Sequence, residues 1–134
     1  MKVGIIGSGG REHAICQSLK KSSKISKIFC FPGNAGTSKL AENIMLDIDN
    51  FENLKSFIVE KKIDLIIVGP EKPLVEGLVD YLEKFNIQVF GPNKNASQLE
   101  GSKIFTKKLC EKFNIPTAKF GIFKNKNDSK KFIH

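Results

Sequence analysis

One arginine stands among the 22 basic residues of this sequence, and it falls at Arg11, directly behind the run Gly7-Ser8-Gly9-Gly10. A guanidinium offers a planar fork that a lysine ammonium cannot imitate, so a lone arginine in a lysine-rich chain marks a place where two-pronged geometry matters. Gly9 and Gly10 lack side chains, which lets backbone N–H groups approach an anion at the positive end of a following helix. Together these residues read as a phosphate site, with Arg11 either clamping the phosphate or fixing the loop, the alternative being a glycine cluster that serves only the strand-to-helix turn. A second candidate is Glu71, which follows Gly69-Pro70. A carboxylate in that position suits the acceptance of two ribose hydroxyls, the alternative being a carboxylate that only favours a helix start. His13, in the first turn after the loop, reads either as a ligand contact or as a packed residue.

A dinucleotide is the rival ligand for such a loop. Aligned with G-x-G-x-x-G, the sequence puts Glu12 where the packing glycine or alanine belongs, and the run Lys27 to Phe31 ends in Pro32 where a ribose-binding acid is expected. A monophosphate fits better. The chemistry at Cys16, Cys30 and Cys110 is quieter: three widely spaced cysteines in apolar surroundings predict reduced core thiols and no metal.

The elements that must position these residues follow from periodicity. Val3 to Ile6, Lys27 to Phe31 and Asp64 to Val68 are apolar runs of strand length, Ile44 to Ile48 is a weaker one, and Gln88 to Phe90 is the last of the set. Helical spacing joins Ala14, Ile15, Ser18 and Leu19, then Phe51, Leu54 and Ile58, then Leu74 through Phe85 behind a helix opened by Pro73. Strand and helix alternating over short links predict an α/β fold with a parallel, doubly wound sheet. Four strands end in glycine-containing turns, Gly7-Ser8-Gly9-Gly10, Pro32-Gly33-Asn34, Gly69-Pro70-Glu71 and Gly91-Pro92-Asn93, along the edge where such sheets bind ligands. A boundary is expected near residue 100, giving a domain over 1–100. Residues 101–134, with a helix from about Ser102 to Phe113 and a strand near Lys119 to Phe123, are too few for a self-sufficient fold and read as an incomplete second domain.

At 134 residues and 40% hydrophobic the chain can bury a real core. The net charge of +8 is spread along the chain without an aromatic platform, which argues against a nucleic-acid partner. No run approaches the roughly 20 apolar residues of a membrane span, and Met1-Lys2 leads into a strand with no signal-peptide pattern, so no membrane partner and a cytoplasmic location are expected.

Five segments in order, Gly7 to Ala14, Pro32 to Thr37, Asp64 to Val75, Phe90 to Pro92 and Gln98 to Lys107, resemble glycinamide ribonucleotide synthetase, the phosphoribosylamine–glycine ligase family. The resemblance implies a Rossmann-like pre-ATP-grasp domain followed by the start of an ATP-grasp domain. It implies ATP-dependent joining of glycine to 5-phosphoribosylamine in purine biosynthesis, through a glycyl phosphate and with release of ADP and phosphate. It also implies ATP and Mg2+ (or Mn2+) in the complete enzyme, none of them held by this chain alone. By the family pattern the first domain binds the ribosyl phosphate, which agrees with Gly9, Gly10, Arg11 and Glu71, and Lys103 is implied to face the nucleotide phosphates. The magnesium, adenine and glycine sites are implied to lie beyond His134, so this chain by itself is expected to be inactive. Its segment 101–134 is left free for self-association. The competing readings are a stand-alone binding module for a sugar phosphate or nucleotide, and an NAD-dependent oxidoreductase domain.

Overall fold

The computed structural model describes residues 1–133; His134 and the side chain of Ile133 lie outside the described residues. The chain divides into two units, residues 1–97 and residue 98 onward. The first unit holds strands β1 (Lys2–Gly7), β2 (Lys27–Pro32), β3 (Glu42–Asn43), β4 (Leu65–Val68) and β5 (Val89–Phe90). They form one sheet in the order β3-β2-β1-β4-β5, parallel at every pairing. The helices are α1 (Gly10–Lys20), α2 (Phe51–Lys61), α3 (Glu71–Glu76), α4 (Leu78–Glu83) and α5 (Lys94–Gly101). This is the doubly wound parallel α/β sheet that the alternation predicts.

The two faces of the sheet follow from the two-residue period of a strand. Val3 and Ile5 of β1 with Ile28 and Cys30 of β2 bury against Cys16, Ile15 and Leu19 of α1. Their alternates Ile6, Phe29, Phe31, Ile66 and Val68 bury against Leu54 and Ile58 of α2 and Leu78, Val79 and Leu82 of α4. Continuous apolar runs are what such a two-sided burial demands. The chain leaves β1 for β2 and then returns across β1 to β4, so the winding direction reverses between β1 and β4. Outside the carboxyl ends of those two strands is the place where sheets of this class take their ligands.

Three local expectations are corrected. The third strand is Glu42–Asn43, not Ile44 to Ile48; Ile44, Leu46 and Ile48 pack against the core as irregular chain instead. Its extension stops because Asp47 and Asn50 turn the chain, Asn50 Oδ1 accepting from Asn53 N at 3.1 Å to cap α2. The helix expected from Pro73 begins two residues earlier, at Glu71, and is broken at Gly77, whose φ of 99° lies where a helix cannot continue. The strand expected near Lys119 to Phe123 does not form. The described part of the second unit is helical, with α6 (Lys103–Lys112) and α7 (Lys126–Ile133), and a strand there would have no ladder to join. Within that unit Ser102 caps α6 through Phe105 N, and the rings of Phe123 and Phe132 lie 5.3 Å apart.

The thiols test this core. Cys16 and Cys30 are wholly buried and Cys110 is half-buried. Burial, with the neighbouring Cys16 thiol, pushes Cys30 up to about 12, and burial likewise raises Cys16. At pH 8 an aromatic disulfide reagent should label Cys110 roughly 100-fold faster than the other two cysteines, which should react only on unfolding. A folded state that keeps these thiols neutral binds more protons than the unfolded one. Stability should therefore fall as pH rises from about 9 to about 12. Equal labelling of all three cysteines would contradict the assigned core.

Candidate functional site

Strand β1 ends at Gly7, β4 ends just before Gly69, and α1 begins at Gly10, so the crevice is built from the glycine loop on one side and Gly69-Pro70-Glu71 on the other. The residue that joins the two sides is Glu12. It is 4% exposed although it is charged and lies in the first turn of a surface helix. Its Oε2 accepts the Gly9 N–H at 2.7 Å and its Oε1 accepts Arg11 Nε at 3.1 Å. The N-cap and the residue three later thus form the carboxylate half of a capping box, and one helix-terminal donor is satisfied by an anion that also favours the helix dipole.

Space for that carboxylate is made by glycines. A Cβ on Gly7 would lie 2.8 Å from Cδ of Glu12, and one on Gly69 would lie 2.6 Å from the same atom. Gly7 also has a φ of 125°, which L side chains rarely adopt. Glycines at the ends of two adjacent strands are therefore required by one buried acid. Arg11 closes the arrangement, with its terminal nitrogen donating to the Gly69 carbonyl while its side chain stays half exposed. The guanidinium thus ties the β1 loop to the β4 loop and keeps further N–H donors toward solvent.

A second clamp comes from β2. Asn34 Nδ2 donates to the carbonyls of Ser8 and Gly9 at 2.8 and 3.2 Å, and its Oδ1 accepts the N–H groups of Gly36 and Thr37 at 2.7 and 2.9 Å. Thr37, wholly buried, donates to Asn43 Oδ1 at 2.8 Å, and Asn43 Nδ2 donates to the Asn34 carbonyl at 2.8 Å. The turn is thereby fixed to β3 and the first loop is fixed to the turn. His13 packs over Gly36, where a Cβ would come within 2.9 Å of its ring.

The site residues singled out in the sequence are placed as follows. Gly9 and Gly10 are exposed at the head of α1, Arg11 spans the crevice, and Glu71 is exposed as the first residue of α3, two residues beyond the carbonyl that Arg11 holds. Lys103 belongs to the second unit, exposed as the first residue of α6. Glu12, Asn34, Thr37 and Asn43 are residues that sequence reasoning passed over as machinery. For Glu12 the signal was present, since an acid three residues after an N-cap is a capping-box pattern. Nothing local announced Asn43.

Among the described residues no three His, Cys, Asp or Glu side chains come together to hold a metal, and no helix is long and apolar enough to cross a membrane.

Residues 1–100 match the family described as phosphoribosylglycinamide synthetase, N domain. Curated phosphoribosylamine–glycine ligases from Caldanaerobacter subterraneus subsp. tengcongensis and Brucella melitensis are 47% and 50% identical over 133 residues, 99% of this chain. The chain spans 32% and 31% of their lengths. A crystal structure of phosphoribosylamine–glycine ligase from Thermotoga maritima superposes with a TM-score of 0.69 at 28% identity, over 99% of this chain and 30% of that one. The biotin carboxylase domain of Hydrogenobacter thermophilus 2-oxoglutarate carboxylase, at 20% identity and a TM-score of 0.64, shares the fold over 98% of this chain and 32% of its own.

The dependence of Gly69 on Glu12 is measurable. Gly69→Ala should cost roughly 1–3 kcal/mol, the usual range for overpacking a filled site. In a Glu12→Ala background the same change should cost about 1–2 kcal/mol less, because the obstructing carboxylate is gone. Urea denaturation of the two single variants and the double variant supplies the cycle, and strict additivity would show that the two residues do not meet.

Proposed function

The chain belongs to the phosphoribosylglycinamide synthetase N-domain family, and from that membership we propose that it is the ribosyl-phosphate-binding part of an ATP-dependent ligase joining glycine to 5-phosphoribosylamine. The observation that carries the reading is the β1/β4 reversal, where Arg11, in the first turn of α1, reaches the Gly69 carbonyl two residues before Glu71 opens α3. First-turn N–H groups have no intrahelical acceptor, so those of Gly10, Arg11 and Glu12 are available to the phosphate oxygens. The remaining guanidinium donors of Arg11 add charge-assisted bonds, and Glu71 accepts the ribose hydroxyls. Lys103 would face the phosphates of ATP. ATP with a divalent ion would supply the phosphoryl transfer that activates glycine.

Full-length protein should release ADP only when both glycine and 5-phosphoribosylamine are present, and the 134-residue chain should release none. Glycine- and amine-dependent ADP release from the short chain would overturn the division of labour. Calorimetric titration of ribose 5-phosphate separates the site residues. Glu71→Gln should weaken the sugar phosphate roughly tenfold and leave inorganic phosphate unaffected. Arg11→Lys should weaken both by about tenfold and, having lost the bond to Gly69, lower stability by about 0.5–1.5 kcal/mol. Normal affinity per folded molecule in Arg11→Lys would leave the arginine as a brace only.

A further inference from the structure

In a dinucleotide-binding loop the second glycine lets the backbone approach the two linked phosphates, and the third lets helix and strand pack closely. Here the third position is Glu12, and its carboxylate turns back onto the second, Gly9, where a diphosphate would meet the backbone. It lies against Gly7, Gly9 and Gly69, takes the Gly9 N–H at 2.7 Å, and is held by Arg11 Nε at 3.1 Å. The loop therefore already contains one anion. What is left, the first-turn N–H groups of α1 and the unused guanidinium donors, matches the three terminal oxygens of a single phosphate. A second phosphate brought to the Gly9 N–H would compete with a buried carboxylate already on that donor, and like charges a few ångströms apart repel strongly.

We propose that Glu12 is a specificity-determining residue: its buried carboxylate stands in for a second phosphate, so that the loop accepts a phosphate monoester and rejects a diphosphate. This rests on the reading of the loop as a ribosyl-phosphate site and adds to it the group that sets phosphate number. Glu12 would touch neither the sugar nor a reacting atom. Its effect is on which ester fits.

The test uses the 134-residue chain with ribose 5-phosphate and ribose 5-diphosphate, which share the sugar and differ by one phosphoryl group. Dissociation constants are read by calorimetry, and folding is checked by circular dichroism. Wild type should favour the monoester by roughly tenfold or more. Glu12→Ala, which removes the carboxylate, should narrow or invert that ratio by at least about tenfold. Glu12→Gln keeps the shape and an oxygen for the Gly9 N–H while removing the charge, and should narrow the ratio by about fivefold. It also keeps the test decisive should the alanine variant fail to fold. A folded variant that retains the wild-type ratio overturns the proposal and leaves the phosphate site standing, as does a wild type that binds both esters equally. Failure of wild type to bind either ester removes the site and the proposal together.

Discussion

A carboxylate taken out of water needs partners, because the cost of desolvating an unpaired charge is several kcal/mol, comparable to a large fraction of a domain's stability. Glu12 meets that demand with one backbone N–H and one guanidinium, and the rest of the site is arranged around that pairing. Gly7 and Gly69 must lack side chains because the acid fills the space beside them. Arg11 must lie across the crevice because it closes the ion pair, and from there it reaches the Gly69 carbonyl. The ends of β1 and β4, 62 positions apart at Gly7 and Gly69, are joined through two side chains that are adjacent in sequence.

The crevice itself is a property of the sheet order. Only at the β1/β4 reversal do the connections leave in opposite directions, so only there can a loop, a helix N-terminus and a neighbouring strand end surround a ligand without a crossover chain covering it. Asn34 and the buried Thr37–Asn43 pair hold the outer wall, fixing the loop by its carbonyl oxygens and leaving the helix-start N–H groups free. Backbone donors held this way are already oriented before an anion arrives, which lowers the ordering cost of binding.

Much of this was legible from the residues alone. The strands β1, β2 and β4, the helix α2 and the parallel doubly wound class follow from apolar runs and helical spacing, because those patterns are burial requirements that hold wherever a two-sided sheet forms. The glycine loop, the lone arginine and the motif order were equally visible, since glycine and arginine each do something that no other residue does at such positions. Where local patterns misled, a competing local signal had more weight. Ile44, Leu46 and Ile48 alternate like a strand yet run into a turn that Asp47 and Asn50 make, and the apolar stripe from Leu74 to Phe85 runs through a left-handed Gly77.

Glu12 shows where sequence reading stops. By its type and position it counted as a departure from a dinucleotide fingerprint and as a charge that would oppose a diphosphate unless it pointed away. That it turns inward, and that Gly69 on another strand makes room for it, depends on β4 lying beside β1. The sequence by itself determined the main strands, the class of sheet and the glycine loop behind β1, because each is encoded in residues a few positions apart. Only the tertiary structure decided that the loop carries its own buried anion and that Asn43 anchors its outer wall, because both rest on contacts between segments that only the winding of the sheet brings together.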